Sequence, residues 1–113
     1  MMNTQQIKEL IMKAEPAPSV GVMMENVLAC KWYIHVLQLV HAGVQRPGAM
    51  QRAVDGLSTK VLNERLRVLV RFGILSRVQH AEVPPRVEYH FTEFGSRFAR
   101  IVDDINELQR ALR

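Results

Sequence analysis

The residues from Arg46 to Gly95 constrain the fold more than any other part of the chain. Pro47 suits the first turn of a helix, where its missing N–H has no intrahelical partner to lose, and this helix is expected to reach Val54. Asp55-Gly56 marks a turn. Ser58 can then cap a second, longer helix through Phe72. Along it Leu62, Leu66, Leu69 and Val70 recur at helical spacing and are assigned to the core. Gly73 closes it as a left-handed C-cap. Ile74 to Val78 and Val87 to Phe91 read as antiparallel strands, with Val87, Tyr89 and Phe91 alternating onto one side. Pro84-Pro85 between them blocks regular pairing and stiffens the loop.

The flanks supply helices. One is expected from Asn3 to Ala14 with Ile7, Leu10 and Ile11 on one face, ended by Pro16 and Pro18. Ser19 caps another through Leu28. Lys31 to His41 carries Trp32, Ile34, Val36, Leu37 and Val40, too dense a set for a surface helix, and is read as the central core element. Ala42-Gly43 ends it. Thr92 caps a last helix to Leu112, with Phe94, Phe98, Ile101, Val102, Ile105, Leu108 and Leu112 along one side. The whole is mainly α with a small β-hairpin, an α+β class, in the order of a winged helix-turn-helix. Residues 1–18 form an N-terminal helix and linker, 19–91 the winged unit, and 92–113 a terminal helix. Its stripe is too long for the body it could cover, so pairing with a second copy is expected. Phe98, Ile101, Val102, Ile105, Leu108 and Leu112 would make that contact, joined by Ile7, Leu10 and Ile11.

A chain of 113 residues with 48% hydrophobic content is one domain by length, with enough apolar surface for a core. Its net charge is +4 and its pI about 9.7, which favours a polyanionic partner. The location of the charge says more. From Arg46 to Arg77 there are seven cations (Arg46, Arg52, Lys60, Arg65, Arg67, Arg71 and Arg77) against Asp55 and Glu64, while the segment from Thr92 onward sums to zero. The single cysteine, Cys30, excludes an intrachain disulfide and fits a reducing compartment. No stretch reaches transmembrane length, and the polar start lacks the pattern of a signal peptide. A soluble, cytoplasmic protein with no membrane partner is expected.

On the long helix Lys60, Asn63 and Arg67 lie at i, i+3 and i+7, joined by Thr59 and flanked by Glu64 and Arg71. Amide and cationic donors over an apolar back suit the major groove, whose base edges present mostly acceptors. Lys60, Asn63 and Arg67 would read or position the groove, with Ser58, Thr59 and Arg71 on phosphates. An ordinary solvated face is the alternative. Arg86 follows two prolines at the hairpin tip, where it could enter the minor groove or pair with Glu82 or Glu88. His80 is a weaker candidate for a phosphate. Cys30 beside Lys31 is either an acidified sensor thiol or a small core residue among Val27, Leu28 and Trp32. His35, His41, His80 and His90 lack the spacing or companion carboxylates of a metal site. With no phosphate loop, nucleophile elbow or paired carboxylates, neither a cofactor nor catalysis is expected.

Several of these segments together resemble a known group. They are Cys30-Lys31-Trp32, the run Gly56 to Arg67, Phe72-Gly73-Ile74-Leu75, Glu82-Val83-Pro84-Pro85-Arg86-Val87-Glu88-Tyr89 and Thr92-Glu93-Phe94-Gly95. Over Ser19 to Leu112 the chain is similar to the HxlR-type regulators, relatives of the MarR group. The resemblance implies a dimeric winged helix-turn-helix transcription factor, with the Ser58–Phe72 helix in the major groove of double-stranded DNA and the Pro84-Pro85-Arg86 wing beside it. Redox-sensing members carry a cysteine near the start of the domain, where this chain has Ser19-Val20, so Cys30 is not its equivalent. The helix before the turn usually opens with an aromatic and polar residues; here it reads Pro47-Gly48-Ala49, which implies fewer phosphate contacts. A sequence-specific homodimeric regulator on a palindromic promoter site is the leading reading. One alternative is gating by an unidentified small molecule or oxidant through Cys30 or a pocket near Trp32. The other is a winged domain used for protein contacts.

Overall fold

The computed structural model describes residues 1–7 and 18–112. Residues 4–7 are helical, and the rest of the expected N-terminal helix, including Leu10 and Ile11, lies outside the described residues. The elements that follow are α1 (Val20–Ala29), α2 (Lys31–His41), α3 (Pro47–Ala53), α4 (Thr59–Arg71), β1 (Leu75–His80), β2 (Arg86–Phe91) and α5 (Glu93–Arg110).

Local chemistry sets the ends of α4. The Ser58 hydroxyl accepts from the Val61 N–H at 3.1 Å, satisfying one of the free donors of the first turn. At the other end Gly73 adopts φ +76°, its N–H bonds Val70 O at 2.9 Å, and the Ile74 N–H bonds Leu69 O at 3.0 Å. This is a Schellman closure, and it needs a residue that tolerates the left-handed region. The end of α2 repeats it, with Gly43 at φ +89° bonded to Val40 O and Val44 bonded to Leu39 O.

One core joins all these elements. Val27, Val36, Met50, Leu62, Leu66, Leu69, Ile74, Leu75, Phe98 and Val102 are fully enclosed. Helix α2 is central as expected, but its buried face is Tyr33, Val36, Leu37 and Val40; Trp32 and Ile34 are only partly covered. Trp32 lies at the edge of the core, with the Lys31 ammonium over its ring at 4.9 Å. Val70 is also corrected. It stands at the surface, because three positions per two turns suffice to face the body and Val70 falls beside them.

Strands β1 and β2 pair antiparallel from Leu75↔Phe91 to His80↔Arg86, extending the expected strands to both sides of the proline loop. The hairpin is held to the helical body at two points. The Tyr89 N–H donates to Gln45 O at 2.8 Å, in the connection between α2 and α3. Where β2 passes into α5, the Thr92 hydroxyl donates to Gly73 O and the Thr92 N–H to Ile74 O at 3.1 Å. The same hydroxyl accepts from the Gly95 N–H at 2.8 Å, capping α5. The buried Gly95 packs directly on the Ile74 backbone.

Helix α5 carries two stripes. Phe98 and Val102, each 2% exposed, lie in the chain's own core, so they are not free for a second copy as the sequence suggested. Phe94, Ile101 and Leu108 form the other stripe and are exposed, with Leu112 exposed just past the helix end; Leu108 and Leu112 are 70% and 78% exposed. Ile105 is partly exposed between them.

Candidate nucleic-acid interface

The exposed face of α4 carries the expected residues. Ser58 sits at the N-cap and Thr59 at the first helical position; Thr59, Lys60, Asn63, Arg67 and Arg71 are all exposed. Leu62, Leu66 and Leu69 turn the opposite face into the core, which fixes the rotation of the helix and hence the direction of its cations. Asn63 and Arg67 line a groove of about 280 Å³ whose other wall is Arg77 and Tyr89 of the hairpin. Arg77 pairs in register with Tyr89, which places both on the hairpin face turned to α4. The sequence reading counted Arg77 only as charge. Its partner in the groove depends on the strand register, which no local pattern reveals.

A second cleft, of about 360 Å³, is lined by Arg46, Pro47, Gly48, Ala49 and Arg52 at α3 and by Pro85 and Val87 of the hairpin. The rigid proline loop therefore approaches α3, and two further arginines border the gap. Arg46 and Arg52, both members of the cation cluster counted in the sequence, flank the Pro47-Gly48-Ala49 start from which fewer phosphate contacts are expected.

Of the two arrangements expected for Arg86, the paired one is observed. This arginine is the first residue of β2, opposite His80, and its guanidinium pairs with Glu82 at 3.4 Å. Its side chain is 34% exposed and its Nε is buried without a hydrogen-bond partner, so it does not project freely from the tip. His80 is bound too: its Nε2 contacts the Glu88 carboxylate, and His90 Nε2 lies 3.8 Å from the same oxygen. These histidines do have a companion carboxylate, because the antiparallel register sets His80 diagonally across from Glu88, eight residues on, and strand alternation puts His90 on the same face. Among the described residues no group of three or more such side chains is arranged to hold a metal ion. The His80 hydrogen bond, with help from Arg86 and His90 and against a smaller effect of burial, holds the Glu88 carboxyl below the usual glutamate range.

Cys30 occupies the N-cap of α2, half-buried, with no side-chain capping bond. Burial pushes its thiol up, but the Trp32 and Tyr33 backbone N–H groups and the Arg65 guanidinium outweigh that and lower it. Arg65 leaves the exposed face of α4, lying over the Tyr33 ring at 5.1 Å. One of the seven clustered cations is thus turned away from the basic stripe.

A basic helix packed across a shorter one, with a hairpin alongside and a cationic groove between, defines a winged helix-turn-helix DNA-binding protein. The HxlR-like helix-turn-helix family model matches residues 27–112, and the chain belongs to that family. It is 39% identical over 83 residues to the uncharacterized HTH-type transcriptional regulator sll1512 of Synechocystis, spanning 74% of this chain and 62% of that one. It is 32% identical over 99 residues to the uncharacterized HTH-type transcriptional regulator YtfH of Escherichia coli, covering 88% and 77%. Among solved structures, the redox regulator HypR in its reduced form superposes with a TM-score of 0.70 at 28% identity, over 82% of this chain and 92% of that one. A MarR-family regulator from Enterococcus faecalis shares the fold over 99% and 90% of the two chains, with a TM-score of 0.69 at 24% identity. The protein is therefore a DNA-binding transcriptional regulator rather than an enzyme. Among the described residues no helix is long and apolar enough to cross a membrane.

Proposed function

We propose that the protein binds a palindromic promoter site as a homodimer, reading one half-site with each copy of α4. The observation that carries this reading is the exposed Lys60, Asn63 and Arg67 stripe over a leucine back, with Arg77 across the adjoining groove. Lys60, Asn63 and Arg67 reach base edges or the adjoining phosphates, while Ser58, Thr59, Arg71 and Arg77 hold phosphates. Arg86 keeps a role at the minor groove only by leaving Glu82. A regulator of this kind must share a compartment with the genome, which favours the cytoplasm. Residues 92–113 serve as the dimerisation segment, assisted by Ile7.

The exposed stripe of α5 supports the dimer. Phe94, Ile101 and Leu108 repeat at intervals of seven, the spacing of a helix-to-helix seam. Leu108→Glu is expected to give a folded monomer in sedimentation equilibrium, since this side chain is 70% exposed in the single chain. Loss of the second half-site contact should weaken binding to a two-half-site duplex by about a hundredfold. An unchanged dimer would place the contact elsewhere.

Gating remains as a second reading with its own support. HypR is a redox regulator by name, and the Cys30 thiol is lowered beside Arg65, a residue of the DNA-reading helix. A small-molecule effector could instead occupy a cleft of about 340 Å³ between α2 and α5, lined by Lys31, His35 and Arg110 but not by Trp32. Comparing duplex affinity with and without a thiol oxidant, in wild type and Cys30→Ser, tests the first route.

A further inference from the structure

Gln51 lies on α3, outside the basic stripe, yet its side chain reaches the start of α4. Its Nε2 donates to Thr59 Oγ1 at 2.9 Å and to Leu57 O at 3.4 Å. A backbone carbonyl only accepts, so the amide nitrogen and not its oxygen must face this turn. The Thr59 hydroxyl therefore accepts from Gln51, and its own hydrogen must point away from that bond. Thr59 is the first residue of α4, exposed, and adjacent to Lys60. The N-terminal residues of such a helix are the ones nearest the bases and their flanking phosphates.

We propose that Gln51 is a positioning residue that presents the Thr59 hydroxyl as a hydrogen-bond donor to an acceptor atom of the bound duplex. This rests on the reading that the first turn of α4 meets DNA. The acceptor is either a phosphate oxygen or an acceptor on a base edge. Cytosine, which offers an amine in the major groove, does not satisfy a donor held this way. Because Gln51 uses both N–H bonds within the protein, it sets the direction of Thr59 before DNA arrives. The hydroxyl then needs no reorientation on binding.

The probe is the duplex that the wild-type chain enriches from a randomised library, with anisotropy as the readout. Thr59→Val keeps the shape and removes the hydroxyl, and should weaken binding about tenfold, as expected for a bond to a charged acceptor. Gln51→Met keeps the length and removes the donors, and should weaken binding about threefold to tenfold. The double variant should bind no more weakly than Thr59→Val alone, because Gln51 acts only through that hydroxyl. Thr59→Ser should restore both the affinity and the sensitivity to Gln51→Met. Losses that multiply in the double variant would overturn the proposal, as would a Thr59→Val protein that binds like wild type. Repeating the selection with Thr59→Val separates the two acceptors: a changed preference at one position marks a base edge, and a uniform loss marks a phosphate. If wild type enriches no duplex, the DNA reading itself fails, and the proposal with it.

Discussion

Gly95→Ala is expected to destabilise the protein by about 3 kcal/mol, seen as a lower urea midpoint at unchanged slope. A Cβ at this position would stand 1.8 Å from the Ile74 carbonyl oxygen and 2.7 Å from its carbon. The obstacle is backbone, so no rotamer change can clear it. It is also pinned, because the Ile74 carbonyl accepts from the Thr92 N–H at 3.1 Å while the Thr92 hydroxyl bonds Gly73 O. Relief would require α5 to lift from the junction of α4 and β1. That junction sets the angle between the basic helix and the hairpin, so DNA affinity should fall with stability. Gly21→Ala is the control: its Cβ would meet nothing closer than Ser19 Oγ at 3.8 Å, and alanine should stabilise helix α1 by up to about 1 kcal/mol. A Gly95→Ala loss below about 1 kcal/mol would mean that α5 is not seated as tightly as this contact requires.

The second large effect belongs to Arg67. Arg67→Ala should weaken binding to the selected duplex by about 1–3 kcal/mol and relax the preference at one base position. Arg67 is exposed, its helix is fixed in rotation by Leu62, Leu66 and Leu69, and it lines the groove shared with Arg77. Arg77→Ala should instead weaken all duplexes alike and reduce the salt slope by about one counterion. Arg86→Ala should do less than either, because its charge is already shared with Glu82 at 3.4 Å. Competition titrations at two salt concentrations distinguish these outcomes. A loss from Arg86→Ala larger than that from Arg67→Ala would reverse the assignment of helix and hairpin.

Much of this arrangement was legible in the sequence because its signals are local. Ser58, Gly73 and Thr92 mark helix ends through bonds to residues a few positions away, and all three fall where the pattern put them. The leucine spacing of α4 fixes which side faces outward, and so Lys60, Asn63 and Arg67 are exposed. What escaped depends on distant parts of the chain. Val70 and Trp32 look like core residues by type, but the body they face is already filled. Phe98 and Val102 share a side of α5 with Ile101 and Leu108 on a helical projection, and only the position of β2 and α2 divides that side into an inner and an outer stripe. The pairing of Arg77 with the Arg67 groove, and of Glu88 with His80, follows from strand register. The Gln51–Thr59 bond likewise spans the turn between α3 and α4, which spacing alone does not specify.

The most direct test is anisotropy of the wild-type protein on its selected duplex and on a scrambled duplex of equal length, at low and physiological salt. A clear preference for the selected sequence is expected at both salts, with affinity falling steeply as salt rises. A stoichiometry of two chains per duplex is expected as well. Equal affinity for both duplexes, or binding that ignores salt, would contradict a sequence-reading role for the Lys60, Asn63 and Arg67 face.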